Sequence, residues 1–246
     1  MLGAATQAPS PVPPSPQQAP GHGDQPQYGS FGQQAASIQA LTSVGSDLIY
    51  AGSFGLGLFR SEDRGVNWAK SGQGVTDPFI LTLTTGKDGA IYAGTFRGGV
   101  FRSRDRGKSW QAINNGLKRL EIKALLAVSD GVYAGTSDGV YRLAADRWSV
   151  VTTGLDDILV HALALSSDGT LFAGTSGKGI LRFKAQSTGW VRQQHGLKDH
   201  EGMTESFIRV LTIDPEGGIY AGTFDGGVFS SADGGTTWRP ISRALP

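Results

Sequence analysis

The sequence contains no cysteine, which excludes disulfide bonds and thiolate chemistry. It also has almost no excess of charge, because 22 basic and 21 acidic side chains leave a formal net charge of +1. Such a balance gives no global field that would attract nucleic acid or an anionic membrane. No apolar run approaches twenty residues, so no segment is predicted to span a bilayer. Function must therefore be sought in local features of a globular chain.

Residues 1–36 differ in composition from the rest of the chain. They contain seven of the eleven prolines and many glutamines, with Asp24 as the one formal charge. We expect an extended, polyproline-like tail that runs along a partner, with a plain flexible tail as the alternative. The start is no complete signal peptide, but Gly3-Ala4-Ala5 resembles the small-residue end of one. An extracytoplasmic location is expected on this ground.

All five tryptophans occupy the same place in a repeated unit. Successive tryptophans are 42, 38, 42 and 48 residues apart, and each follows a strand-like phrase such as IYAGTF. They are Trp68, Trp110, Trp148, Trp190 and Trp238. A period near forty with such phrases is typical of a propeller.

Each repeat is predicted to form one blade of four antiparallel strands separated by glycine-rich turns. The fold is therefore predicted to be all-β, a propeller of five four-stranded blades. The predicted blades are residues 37–75, 76–117, 118–155, 156–197 and 198–246. A closed five-membered ring is the simplest arrangement, because closure leaves no exposed sheet edges. The alternative is that the five blades are part of a larger ring completed by another chain.

The turn before the outer strand carries the pattern Ser-x-Asp-x-Gly-x-x-Trp in the first, second and fifth repeats. Its aspartates and tryptophans are Asp63, Trp68, Asp105, Trp110, Asp233 and Trp238. Each aspartate is expected to accept backbone amides of its own turn, and each indole is expected to pack between blades. We therefore interpret these residues as structural.

This pattern resembles the Asp-box, or bacterial neuraminidase (BNR) repeat. The resemblance covers roughly residues 38–246. Asp-boxes are found in sialidases, xyloglucan-cleaving glucanases, sortilin-type receptors and photosystem II assembly factors. The resemblance implies a propeller but does not specify an activity. The third and fourth repeats keep their tryptophan and have lost the box.

No residues are predicted to be catalytic, and no cofactor or metal is expected. The resemblance to sialidases would imply an Arg-Ile-Pro segment before the boxes, which this sequence lacks. A general glycosidase needs two carboxylates facing each other across a sugar. The carboxylates near the blade connections, Asp77, Glu121, Asp156 and Asp157, show no spacing that marks such a pair.

The loops between the second and third strands are the first candidates for a binding face. Blades one, two and five carry a phenylalanine there, with charged neighbours in two of them. The candidate partner-binding residues are Phe54, Phe96, Arg97, Phe224 and Asp225. In a closed ring these blades are consecutive, which predicts one aromatic patch. The alternative is that each phenylalanine packs under its own loop.

The connection before the fifth blade, residues 195–207, is longer than its counterparts. Asp199, His200 and Glu201 are further candidate partner-binding residues, because long loops in compact folds are often functional. Their spacing matches no metal motif. The alternative is an ordinary solvated loop.

Together these features predict a non-catalytic propeller that binds another protein. The resemblance to photosystem assembly propellers implies an accessory or assembly role in a membrane-bound bacterial complex. A lectin-like carbohydrate-binding propeller is the alternative, followed by a glycoside hydrolase of sialidase-like fold.

Overall fold

The computed structural model describes residues 36–185, 187–193, 195–198 and 206–241. Its regular elements in these residues are twenty β-strands, which form five four-stranded antiparallel sheets in chain order. The predicted all-β fold with five four-stranded blades is confirmed. The predicted tail, residues 1–36, lies outside the described residues except for Ala36.

In each blade the strands follow one another from the inner edge of the ring to the outer edge. The first blade contains β1 (Ile38–Val44), β2 (Leu48–Ser53), β3 (Gly57–Ser61) and β4 (Ala69–Lys70). The second contains β5 (Ile80–Thr85), β6 (Ile91–Thr95), β7 (Val100–Ser103) and β8 (Gln111–Ala112). The third contains β9 (Ala124–Val128), β10 (Gly131–Thr136), β11 (Gly139–Ala144) and β12 (Arg147–Val150). The fourth contains β13 (Val160–Leu165), β14 (Leu171–Thr175), β15 (Ile180–Phe183) and β16 (Val191–Gln193). The fifth contains β17 (Ile208–Ile213), β18 (Ile219–Thr223), β19 (Val228–Ser231) and β20 (Arg239–Pro240).

Neighbouring blades meet where the inner strand of one blade packs on the second strand of the blade before it. In the second to fifth blades a fully buried β-branched residue lies at the start of the inner strand or, in the third blade, two residues before it, and this residue contacts a glycine of the repeated AGS or AGT phrase. At Gly94, an added β-carbon would lie 2.7 Å from Cγ2 of Ile122, so a larger residue would push the blades apart. The pairs, glycine first, are Gly52 with Ile80, Gly94 with Ile122, Gly135 with Val160, and Gly174 with Ile208.

Three of the repeated tryptophans also bind the preceding blade through their backbone amides. The amide of Trp110 donates a hydrogen bond of 2.8 Å to the carbonyl of Gln73 in the preceding blade. Trp148 and Trp238 make the same bond, of 2.8 Å each, to Asn115 and His195. These bonds tie the outer edges of consecutive blades together.

The buried apolar side chains form four clusters, and each cluster joins two consecutive blades. Within the described residues no cluster joins the fifth blade to the first, and β17 does not pack beside β1 as the other inner strands pack beside each other. Ile38, the equivalent of Ile80, is 43% exposed. Gly222 has only Val210 of its own blade within reach of an added β-carbon. As far as the described residues extend, the ring is open at this place, in contrast to the closed ring that the sequence favoured.

The Asp-box turns are held by a compact hydrogen-bond network. In the first box, the hydroxyl of Ser61 donates to Asp63 Oδ1 at 2.7 Å and accepts the amide of Gly65 at 2.7 Å. Asp63 Oδ1 also accepts the amide of Asn67 at 2.8 Å. The turn requires positive φ angles at two successive positions, 62° at Arg64 and 92° at Gly65. The boxes around Asp105 and Asp233 have the same network.

The third and fourth repeats, which lack the box, hold their tryptophans through other contacts. In the third blade a two-residue turn, Ala145 and Asp146, has positive φ angles of 48° and 59° and closes a tight hairpin. The indole of Trp148 then donates to the carbonyl of Ile113 at 2.5 Å. In the fourth blade Trp190 packs on Phe183, with ring centroids 5.5 Å apart. Aromatic packing therefore persists where the aspartate is lost.

Replacing the β-branched residue at the start of an inner strand should destabilise the fold more where a preceding blade covers that residue than where none does. We expect Ile80→Ala to lower the free energy of unfolding by about 2–5 kcal/mol, because Ile80 is fully buried. Ile38→Ala, at the equivalent and half-exposed position, should cost less than about 1 kcal/mol. Urea denaturation at low protein concentration measures both values. Equal losses would show that the ring is closed in solution.

Acid should weaken the Asp-box turns. Hydrogen bonds from Ser109 and Ser103 lower the pKa of Asp105 to about 2, and those from Thr237 and Ser231 lower that of Asp233 to about 2. The amide of Asn67 likewise lowers the pKa of Asp63. Since the ordinary value is 3.8, the stabilisation is complete above about pH 4 and is lost as the pH falls towards 2.

Thermal unfolding followed by circular dichroism between pH 5 and pH 2 tests this. We expect Asp105→Asn to lose less thermal stability over that window than the wild-type chain, because one titrating group has been removed. Asp225→Asn, an exposed carboxylate outside the boxes, is the matched control and should keep the wild-type slope. An unchanged slope in Asp105→Asn would contradict the assignment.

Candidate protein-binding face

In four of the five blades, a β-bulge near the start of the inner strand leaves one extra residue. The register of β1, β5, β13 and β17 shifts after the first residue, which leaves one extra residue in each strand. Bulges of this kind re-aim a side chain, often beside functional sites. In chain order the bulge residues are Gln39, Leu81, His161 and Arg209, and Lys123 takes the same place in the third blade.

Three consecutive blades therefore place basic residue types at equivalent positions: Lys123, His161 and Arg209. Burial lowers the pKa of His161, and the positive charges of Arg209 and Lys123 lower it further. The ring of His161 lies 2.7 Å from the hydroxyl of Ser176. At neutral pH the positive charge of this group therefore comes from Lys123 and Arg209.

Aromatic rings lie beside these charges on the first two blades. The rings of Phe54 and Phe79 are 4.8 Å apart and tilted, and those of Phe54 and Phe96 are 6.3 Å apart, edge to face. Phe54 is 45% exposed. Such pairs contribute beyond the area they bury. The three rings form an aromatic cluster that remains open to solvent.

Three cationic side chains of this face lie over phenylalanine rings. The guanidinium of Arg97 lies 5.1 Å from the Phe96 centroid, and the ammonium of Lys123 lies 5.5 Å from the same centroid. The guanidinium of Arg209 lies 4.8 Å from the centroid of Phe224. These distances fall within the range of cation–π attraction. We call these five residues, together with Phe54 and Phe79, the aromatic-basic rim.

The loop that carries Phe96 and Arg97 is fixed by two buried or half-buried polar side chains. The carboxylate of Asp77 accepts the amides of Phe79 at 3.1 Å and Gly98 at 2.9 Å. Asn114 accepts the amide of Val100 at 2.8 Å and donates to the carbonyl of Gly98 at 2.8 Å. The rim is therefore presented by a rigid loop in the second blade.

The structure brings together some of the predicted binding residues. Phe54, Phe96 and Arg97 lie in one cluster, whereas Phe224 packs under Arg209. The predicted single patch assumed a closed ring, and the open ring leaves Phe224 on the opposite side of the gap. Asp225 is exposed beside Phe224. The predicted loop residues Asp199, His200 and Glu201 lie outside the described residues.

Sequence reasoning missed three residues of the rim: Phe79, Lys123 and Arg209. Phe79 immediately precedes the buried first residue of β5, and Lys123 and Arg209 follow the equivalent residues of their blades. Alignment of the five inner strands on that residue would have revealed the basic positions. The bulge at Arg209 has no sequence signal of its own.

Two of the four carboxylates considered for catalysis, Asp77 and Glu121, have structural partners. Asp77 is 8% exposed and accepts the loop amides. Glu121 forms an ion pair of 2.9 Å with Lys123. Within the described part of the chain, no group of three or more His, Asp or Glu side chains could hold a metal ion.

The family model described as BNR-Asp box repeat matches residues 58–71 and 100–113. No curated protein matches the chain. Among solved structures, the extracellular domain assigned to a one-component system of B. thetaiotaomicron has a TM-score of 0.70 at 20% identity. That match covers 85% of this chain but 28% of the other, so this chain spans less than a third of that domain.

Two further structures have propellers similar to this one. YCF48 bound to D1 peptide has a TM-score of 0.64 at 15% identity, covering 83% of this chain and 68% of that one. The GH74 xyloglucanase from Xanthomonas campestris has a TM-score of 0.64 at 20% identity, covering 81% and 38%. None of the described residues forms a helix long and apolar enough to cross a bilayer. The chain is thus a five-bladed propeller with BNR-Asp box repeats, as its sequence indicated.

Proposed function

We propose that this protein is a non-catalytic propeller that binds another protein through the aromatic-basic rim. The observation that carries the proposal is the stacking of Arg97 and Lys123 on Phe96 and of Arg209 on Phe224. Aromatic and arginine side chains are the residues that most often dominate binding energy at protein interfaces. Here they stand on a rigid loop and on inner strands, so little ordering is needed on binding.

The charges of the rim favour a partner segment that carries carboxylates. Lys123 and Arg209 are cationic at neutral pH, and Arg97 extends the same sign over the second blade. Glu121 pairs with Lys123, and Asp77 accepts the backbone amide of Arg97, so the Arg97 guanidinium stays over the Phe96 ring. An extended acidic segment lying across the rim would bury its apolar side chains against Phe54 and Phe96. Raising the salt concentration should weaken such a contact.

The role we propose is accessory, in the assembly or stability of a membrane-bound complex outside the cytoplasm. Support comes from the similarity to YCF48, which is seen with a D1 peptide bound, and to an extracellular domain. The proline-rich residues 1–36 have the composition of a segment that extends along a partner.

Purification of the tagged chain from membranes of its source, followed by mass spectrometry of bound subunits, tests the proposal. We expect Phe96→Ala and Arg209→Ala each to weaken partner binding about tenfold, because each removes one stacked pair at a binding hot spot. Val150→Ala is the matched control, since Val150 is 46% exposed on the outer strand of the third blade. Undiminished binding by both rim variants would place the interface elsewhere.

Absence of catalysis has its own test. We expect no turnover of a panel of fluorogenic glycosides, because Asp77 and Glu121 are engaged by backbone amides and by Lys123. Turnover that is lost in Glu121→Ala or Asp156→Ala would establish a glycosidase instead. Binding on a glycan array, without any recovered protein partner, would favour the carbohydrate-binding alternative.

A further inference from the structure

The two faces at the opening of the ring differ from every other blade face in how much apolar surface they expose. On the first blade, Ile38 is 43% exposed and Leu41 is 64% exposed. Their equivalents in the second blade, Ile80 and Leu83, are 0% and 8% exposed. The first blade therefore presents an uncovered apolar face, which we call the leading face.

The fifth blade also has an exposed apolar face, on the opposite side of the opening. Val210 is 57% exposed, whereas its equivalents Ala124 and Ala162 are 6% and 7% exposed. Tyr220 is half-buried, although the equivalent Tyr50 is completely buried. We call this surface, with Gly222 at its centre, the trailing face.

Two specific contacts that recur inside the ring are missing at the opening. The first is the β-branched residue on the glycine: among the described residues, none from another blade lies opposite Gly222. The second is an aromatic ring against the Asp-box glycine of the next blade. Gly107 has Tyr50 of the preceding blade within 2.6 Å of an added β-carbon, but Gly65 has only Ile49 and Trp68 of its own blade.

Terminal repeats of stacked proteins normally carry a polar outer face that keeps them soluble. Within the described residues the leading and trailing faces have no such polar surface, since Ile38, Leu41, Val210 and Tyr220 retain the residue types of internal contacts. The leading face offers the β-branched residue and the box glycine. The trailing face offers the glycine and the aromatic ring. The two faces are thus the two halves of a blade contact: its β-branched residue on glycine occurs four times within the described residues, and its aromatic ring on the box glycine occurs twice, at Gly107 and Gly235.

We propose that the opening binds a second copy of this chain, with the leading face of one copy packed on the trailing face of the other. Ile38 of one copy then occupies the place opposite Gly222, and Tyr220 lies against Gly65. The contact uses different surfaces on the two copies, so it is heterologous and propagates unless geometry closes it. This proposal is independent of the aromatic-basic rim and of any partner bound there.

A mixing experiment with two face-blocked variants tests the proposal. Ile38→Lys places a charge on the leading face, and Val210→Lys places one beside Gly222, with which Val210 is in register. Both positions are substantially exposed, so the fold should survive, and thermal unfolding checks this. Val150→Lys, on the outer strand of the third blade, is the matched control.

Size-exclusion chromatography with light scattering over a concentration series gives the readout. We expect the mass of the wild-type chain and of Val150→Lys to rise with concentration above the monomer value of 25.8 kDa. Each face-blocked variant alone should stay monomeric, because it lacks one half of the contact. Their equimolar mixture should form a 1:1 dimer, since each supplies the half that the other has kept.

Three results would overturn the proposal. A wild-type chain that remains monomeric at every concentration excludes a second copy as the occupant. Face-blocked variants that still associate alone place self-association on another surface. A mixture that stays monomeric, when the wild-type chain associates, excludes the head-to-tail pairing of these two faces.

Discussion

The contact between a β-branched residue and a glycine of the preceding blade is the constraint on which the rest of this structure depends. Absence of a side chain in the repeated AGT or AGS phrase allows the next inner strand to approach closely, as Gly94 and Ile122 show. A single repeat cannot bury both of its faces, so each blade is stable only because its neighbours cover it. Destabilising one contact therefore exposes apolar surface on two blades.

The same contact positions the candidate binding face. Directly after the residue that makes this contact, or its equivalent, four blades have a bulge residue and the third blade has Lys123. Packing demands an apolar residue at the first position but leaves the next one free to differ. The residue type at that next position accordingly differs between blades: it is Gln39, Leu81, Lys123, His161 and Arg209 in chain order. The loop phenylalanines then lie where cations from neighbouring strands can stack on them.

Local features of the fold could be predicted from the sequence because they depend on residues close together in the chain. The strands follow the repeated phrases, and Ser61, Asp63 and Gly65 sit in the turn that the motif indicates. The separation of Phe224 from Phe54 could not be predicted, because it depends on the angle between blades summed around the ring. The positions of Lys123 and Arg209 over phenylalanine rings could not be predicted either, because they depend on contacts between an inner strand and a loop.

The open arc has an energetic consequence for anything that covers its ends. Full burial of an exposed Ile or Leu side chain contributes roughly 1.5–3 kcal/mol, and Ile38 and Leu41, which are 43% and 64% exposed, each contribute less than that when they are covered. Association costs about 4–15 kcal/mol in lost translational and rotational freedom. A few isolated contacts therefore do not suffice, and an occupant must cover most of a blade face. The surface that achieves this already exists in the protein, because every internal blade presents it to its neighbour. The residues that form the contacts between blades thus also determine which surface can cover the opening, namely the face of another blade.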